Sequence, residues 1–142
     1  MLQWVNDQAL PVDERSYYCA DLTPGEVCVV LATPAMLEAG IKWGHARPVF
    51  MDATHGVIKY GYKLVTLLVM DDHNKGVPVA WAFLEHERSE DYTKFLNLVN
   101  TECCRRSALK GQEWRPSCIL TDDAAAEHSA ARCASPACVF AS

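Results

Sequence analysis

The sequence shows neither the long apolar run of a membrane-spanning protein nor the N-terminal pattern that is typical of a secreted one. None of its apolar stretches approaches the roughly 18 residues that a membrane-spanning helix needs. Its N-terminus, MLQWVNDQ, has neither the basic block nor the apolar block of a signal peptide. These absences predict a protein that is not anchored in a membrane and not secreted, and we expect an intracellular location.

The seven cysteines lack the spacing of a metal site or of a disulfide framework. Their number is odd, C-x-x-C pairs are absent, and Cys103 and Cys104 are adjacent, which is poor spacing for two ligands of one zinc ion. Without an export signal, a disulfide framework is not expected. We interpret the cysteines as reduced thiols that are partly buried.

Positive charge is scarce, with 13 Lys and Arg against 18 Asp and Glu and a formal net charge of −5. That balance gives no global attraction to nucleic acids. Any contact with DNA or RNA therefore needs a local basic patch, of which residues 105–110 are the candidate, or a divalent cation that bridges acids to phosphates. Half of the residues are apolar, which is typical of a folded domain.

The apolar segments predict a single α/β domain. They indicate a strand, a short helix, three strands that follow one another in a meander, an amphipathic helix, a fourth strand and an Ala-rich helix. These segments are residues 27–31, 33–44, 49–52, 62–70, 77–84, 90–106, 117–121 and 124–131. Ser89 is the expected N-cap of the amphipathic helix, and Gly40 and Gly44 are expected to loosen and end the short one.

This order of elements is the opening order of a ribonuclease H-like mixed sheet, in which the fourth strand of the core lies parallel to the first. Asp52 in the first of these strands and Asp122 at the end of the fourth are then expected to face each other. Two carboxylates that close repel unless they share a cation. Hard oxygen ligands suit Mg²⁺ or Mn²⁺, and such ions can activate water for phosphodiester cleavage.

An aspartate after a strand can instead cap a turn, because its side chain bonds the backbone that follows. We prefer that interpretation for Asp71, Asp72 and Asp123. Asp52 differs because it is embedded in an apolar run, where an uncompensated charge is costly. Trp81 also lies in an apolar strand, and we expect it to pack in the core rather than to stack on bases.

Several segments resemble the catalytic domain of Mutator-like element (MULE) transposases. They are FMDATHG at 50–56, KYGYKL at 59–64, LLVMD at 67–71, GVPVA at 76–80 and LTDD at 120–123. The resemblance covers about residues 27–127 and is most specific at 51–80. It implies an Asp-Asp-Glu triad on a ribonuclease H-like fold that cuts and joins DNA with Mg²⁺ or Mn²⁺, and hence a nuclear or other intracellular location and a possible homo-oligomer.

By motif position, Asp52 matches the first catalytic and metal-binding Asp of the family, and Asp122 matches the second. His55, Lys59 and Lys63 lie close behind the first acid and are candidates for contacts with DNA phosphates. A turn-stabilising histidine and two solvated lysines are the simpler interpretation of these three residues.

The end of the chain departs from the family. After Asp122 the only acids are Asp123 and Glu127, and Glu127 follows Asp122 too closely to match the catalytic Glu. Residues 128–142 do not resemble the family. We therefore expect a lead-in at 1–26, a C-terminally truncated domain at 27–127, and a divergent tail at 128–142 whose composition is compatible with disorder.

Three functions agree with these residues. The preferred one is a transposase-derived DNA-processing domain with a metal-binding Asp pair but an incomplete active site. The second is an active nuclease whose third carboxylate comes from Glu127, Glu85 or a partner chain. The third is a non-catalytic, domesticated or decayed module that binds DNA or protein. A Cys/His hydrolase is disfavoured because the cysteines lack a motif that would place one beside a histidine.

Overall fold

The computed structural model describes residues 14–54 and 59–121. Within them the chain forms six strands and two α-helices. In chain order these are β1 (Tyr17–Asp21), β2 (Cys28–Ala32), α1 (Pro34–Gly44), β3 (Pro48–Thr54), β4 (Lys63–Met70), β5 (Gly76–Leu84), α2 (Ser89–Leu109) and β6 (Cys118–Thr121). Each predicted segment up to residue 121 is present, and the predicted helix at 124–131 lies outside the described residues.

The strands form one mixed sheet with the order β1-β2-β5-β4-β3-β6. Strands β3, β4 and β5 are an antiparallel meander, and α2 then carries the chain across to β6, which pairs with β3 in parallel. The prediction of an α/β domain with a mixed sheet is therefore confirmed. Strands β1 and β2 extend the sheet on the side of β5, a pairing that the sequence did not indicate.

Both helices pack on the same face of the sheet and close a single core with it. The strands alternate, so that Val49, Met51 and Ala53 of β3 enter this core while the residues between them face the other way. We call the face without these helices the open face. In the described part of the chain, neither helix is long and apolar enough to cross a membrane.

The helix starts follow from local capping. The Thr33 hydroxyl accepts a hydrogen bond from the Met36 N–H (3.2 Å), and Pro34 occupies the first turn of α1, where its missing N–H costs nothing. The expectation that Ser89 caps α2 is wrong, because the N-cap is Arg88. The Asp91 carboxylate accepts from the Arg88 backbone N–H (3.3 Å) and from its guanidinium (2.9 Å), which fixes this first turn.

Gly40 and Gly44 allow α1 to approach its neighbours closely. A Cβ at Gly40 would lie 2.6 Å from Val79 Cγ1, and a Cβ at Gly44 would lie 2.4 Å from Trp114 Cζ3. Both separations are far shorter than a van der Waals contact between carbons. These glycines therefore serve packing against β5 and Trp114, in addition to the expected loosening of the helix.

Candidate functional site

Asp52 projects from the fifth position of β3 onto the open face. It is exposed, so the desolvation cost that its apolar neighbours suggested does not arise. Among the described residues, none donates a hydrogen bond to its carboxylate or forms an ion pair with it. Its Cα partner on β4 is Thr66, whose hydroxyl side chain shares the open face. The structure thus presents Asp52 as a solvent-accessible carboxylate with oxygen atoms available to a ligand.

Strand β6 lies directly beside Asp52 in the sheet. The parallel β3–β6 pairing runs from Pro48↔Cys118 to Met51↔Thr121, where the described part of β6 ends. Asp122, the second predicted acid, lies outside the described residues, as does His55. The proximity of the two carboxylates therefore stays a prediction, whereas the adjacency and direction of their strands are observed.

The two candidate lysines lie in different surroundings. Lys63 is opposite the buried Leu84 in the β4–β5 register, so its Cα–Cβ bond points to the helix-covered side rather than to the open face. Its ammonium lies 3.8 Å from a carboxylate oxygen of Glu87. Lys59 is exposed in the turn before β4. The fold thus separates Lys63 from Asp52 by the thickness of the sheet.

Glu85 was one open choice for a third carboxylate. Its carboxylate accepts a hydrogen bond from the Val27 N–H (3.1 Å), and its own N–H donates to the Val27 carbonyl (3.0 Å). Asp52 lies in register with Trp81 across two strand spacings, and Glu85 is four residues beyond Trp81. Strand geometry then separates the Asp52 and Glu85 Cα atoms by about 16 Å, too far to share one metal ion.

Residues 14–54 and 59–121 hold no complete set of metal ligands. This part of the chain contains no group of three or more His, Cys, Asp or Glu side chains arranged to hold a metal ion. Within these residues, Asp52 is therefore not part of a cluster of three metal-binding side chains.

The two aspartates of the β4–β5 turn, Asp71 and Asp72, make different contacts. The Asp71 carboxylate accepts from the N–H groups of Lys75 (2.9 Å) and His73 (2.8 Å), and these bonds, that from Lys75 above all, hold the pKa of Asp71 below its ordinary value. The prediction that Asp71 stabilises the turn is confirmed. Asp72 instead accepts from the Trp43 indole N–H (3.2 Å) and lies 3.5 Å from the Arg47 guanidinium. It therefore links the turn to α1 and to the loop before β3.

The basic residues within 105–110, near the end of α2, form ion pairs with carboxylates of the same chain. Arg106 is 3% exposed, and its guanidinium donates to Glu102, 4% exposed, at 2.6 Å. Arg105 donates to the same carboxylate (2.6 Å), and Lys110 donates to Glu38 (2.6 Å). The hypothesis that this cluster offers cations to a nucleic-acid backbone is not supported, because it anchors α2 to its surroundings.

The described cysteines differ in burial, with Cys28 and Cys103 buried and Cys104 exposed. All five, at 19, 28, 103, 104 and 118, are free thiols. Burial raises the pKa of Cys28 to about 11 and raises that of Cys103 further. Neither of these two thiols is therefore a ready nucleophile.

An aromatic row crosses the open face from Asp52. The cross-strand partners are, in sequence from β3 to β1, Asp52, Thr66, Trp81, Leu31 and Tyr18. Trp81 is 37% exposed and Tyr18 is 39% exposed. The expectation that Trp81 packs in the core is wrong, because the helices cover the other face of β5.

Comparison with known proteins gives one match. Residues 48–141, which are 94 of the 142 residues, match the family model of the MULE transposase domain. No curated protein and no solved structure matches the chain. The matched range begins at β3 and extends past residue 127, where the resemblance was expected to end. Because the match covers more than half of its length, the chain belongs to the MULE transposase domain family.

Proposed function

We propose that this chain is a transposase-derived DNA-processing domain in which Asp52 and Asp122 together hold a divalent cation at a DNA phosphate. The observation that carries the proposal is the free, exposed carboxylate of Asp52 beside the end of the parallel β3–β6 pairing. Continuing that register by one residue would pair Asp52 with Asp122. Residues at equivalent positions of neighbouring strands have Cα atoms about 5 Å apart, a separation at which two carboxylates can share one ion.

The sheet supports a ribonuclease H-like assignment. The segment β5-β4-β3-β6 combines an antiparallel meander with a parallel strand beside the first, joined by the crossover helix α2. In this arrangement an acid in β3 and an acid that follows β6 would lie at the same end of neighbouring strands. We propose the ribonuclease H-like fold on this strand order together with membership of the family.

The residues fit a hard divalent cation. Carboxylate oxygens are ligands that Mg²⁺ and Mn²⁺ prefer, and no described side chain competes for those of Asp52. Such an ion supplies charge stabilisation at the phosphoryl group and a lowered pKa for water. Asp52 would serve as an oxygen ligand and would orient the phosphate relative to β3.

We further propose that these 142 residues bind the cation without cutting DNA by themselves. Glu85 is bonded to Val27 and is remote from Asp52. The described residues offer no other acid beside Asp52, in line with the absence of a metal-ligand cluster among them. A third carboxylate would then have to come from a partner chain or from beyond β6, as the nuclease alternative requires.

Calorimetry with Mn²⁺ tests the metal pair. The wild-type chain is expected to bind Mn²⁺, and Asp52→Asn and Asp122→Asn are each expected to weaken binding by at least about tenfold, because each removes a direct ligand. Glu113→Gln is the matched control, since it neutralises an exposed carboxylate away from the open face. A folded wild-type chain that does not bind Mn²⁺ would leave the non-catalytic alternative, a module that binds DNA or protein.

A plasmid-nicking assay with Mn²⁺ tests completeness. We expect no cleavage above the level of the Asp52→Asn/Asp122→Asn double variant. Cleavage by the wild-type chain that Asp122→Asn abolishes would contradict the proposal and would establish an active nuclease.

A further inference from the structure

We propose that Thr66 is a positioning residue for the cation site at Asp52, and that its hydroxyl donates a hydrogen bond to the Asp52 carboxylate when that carboxylate holds the ion. The inference rests on the proposed function, because it takes Asp52 as a ligand of a divalent cation. It adds a residue of β4 that lies between the two segments, 59–64 and 67–71, on which the family resemblance rests.

Thr66 lies directly beside Asp52 on the open face. The antiparallel β3–β4 register pairs their Cα atoms, and Asp52 occupies one of the positions of β3 that face away from the helices. Side chains at paired positions share a face of the sheet, and their Cβ atoms are about 4.5–5.5 Å apart. Rotation of the two side chains is enough to bring the hydroxyl to about 2.5–3.0 Å from a carboxylate oxygen, the length of an O–H···O hydrogen bond.

The residue type at position 66 is unusual for its strand. Apart from Lys63 at its start and Thr66, β4 consists of apolar residues. Valine has nearly the same shape as threonine and suits a strand equally well, so strand formation does not require a hydroxyl here. Thr66 is partly exposed, and its hydroxyl forms no hydrogen bond with a described residue. The strand therefore does not explain this hydroxyl, and it is available to Asp52.

The other open-face neighbours of Asp52 on β3 and β4 are poorer donors. Thr54, two positions along β3, carries the other hydroxyl, and strand geometry places its Cα about 7 Å from that of Asp52. The remaining neighbours are apolar and donate no hydrogen bond from their side chains: Phe50, Leu64 and Leu68. On these two strands, Thr66 is therefore the closest side-chain donor to Asp52.

A donor at this position has a defined role when a cation is bound. A carboxylate that binds an ion through one oxygen keeps its second oxygen as a hydrogen-bond acceptor. A hydrogen bond to that second oxygen holds the carboxylate in the orientation in which it binds the ion, and loss of such a partner typically costs roughly 10- to 100-fold in metal affinity. Thr66 would thus act through Asp52 and not on the ion itself.

Calorimetric titration of the full chain with Mn²⁺ tests this role with two substitutions at one position. Thr66→Val removes the hydroxyl and keeps the shape, and we expect it to weaken Mn²⁺ binding by roughly tenfold. Thr66→Ser keeps the hydroxyl and loses the methyl group, and we expect its Mn²⁺ affinity to stay within about twofold of the wild type. Urea denaturation is expected to show Thr66→Val at least as stable as the wild type, because valine favours a strand.

Thr54→Val is the matched control, since it removes the other hydroxyl of the open face near Asp52. We expect it to leave the Mn²⁺ affinity unchanged. A loss as large as that of Thr66→Val would overturn the proposal, because the effect would not depend on the position opposite Asp52. Equal losses in Thr66→Val and Thr66→Ser would overturn it as well, since shape and not the hydroxyl would then matter. So would an unfolded Thr66→Val chain, because the hydroxyl would then serve the fold.

The Asp52→Asn variant separates this inference from the proposed function. Mn²⁺ binding that Asp52→Asn weakens and Thr66→Val does not would remove the role of Thr66 and leave the cation site in place. A loss in Thr66→Val without a loss in Asp52→Asn would overturn both, because Thr66 would then not act through Asp52. A folded wild-type chain that binds no Mn²⁺ would remove the cation site and the role of Thr66 with it.

Discussion

Replacing Gly40 with alanine would favour the helical backbone of α1 but would crowd the core beside it. Alanine is favoured over glycine in a helix interior by about 1 kcal/mol, so the sequence alone predicts that Gly40→Ala stabilises α1. In the structure the added methyl would lie 2.6 Å from Val79 Cγ1 and 3.1 Å from Val79 Cγ2. Only a shift of α1 away from β5, or of Val79 itself, relieves these contacts.

Val79 cannot easily move or change rotamer. It is 0% exposed, and as a β-branched residue it has few alternative rotamers. Overpacking a core by a methyl group costs about 1–3 kcal/mol. After the gain in helix preference of about 1 kcal/mol is subtracted, we expect Gly40→Ala to lower the free energy of unfolding by up to about 2 kcal/mol.

A double-mutant cycle measured by urea denaturation checks this reasoning. Val79→Ala removes both clashing methyl groups and is expected to cost about 2 kcal/mol in the wild-type background. In the Gly40→Ala background it should cost at least about 1 kcal/mol less, because the two residues are in contact. A Gly40→Ala variant that is more stable than wild type, or strictly additive effects, would refute the argument.

Two further predictions concern charged groups. Glu102→Ala removes the carboxylate that pairs with the buried Arg106 guanidinium and is expected to cost about 3–5 kcal/mol in urea denaturation, whereas Arg105→Ala, whose side chain is 48% exposed, should cost about 1 kcal/mol or less. Equal losses would contradict the difference in burial. The hydrogen bond from Lys94 is the main cause that lowers the pKa of Asp21, so this contribution to stability is complete above about pH 4 and is lost as pH falls toward the folded pKa. Asp21→Asn should therefore flatten the acid side of a plot of Tm against pH, and an unchanged acid side would exclude a role for this ion pair.

The sequence indicated the elements because their signals are local. The apolar runs gave the strands, and the Thr33-Pro34 pair gave the start of α1, since capping involves residues only a few positions apart. The turn role of Asp71 could be predicted for the same reason. The start of α2 was misplaced by one residue because Arg88, a residue that is not a common N-cap, forms its contacts with Asp91.

The motif around Asp52 can also be recognised from the sequence alone. The family match and the position of the acid within β3 require no knowledge of packing. The sequence could not show whether Asp52 is buried or exposed, because β3, β4 and β5 carry apolar residues on both faces. Alternation groups Phe50 with Asp52, but it does not say which group the helices cover.

Contacts between residues distant in the chain decided which of these side chains are buried and which are exposed. The tertiary structure placed both helices on one face, which left Asp52, Trp81 and Tyr18 on the other. It also paired Arg106 with Glu102 in the interior and brought Gly40 against Val79. The sequence by itself determined the strands and helices from β2 to β6 and the family to which the chain belongs. Exposure and ion pairing were decided only by packing, since burial depends on which surfaces meet and not on the residues adjacent in sequence.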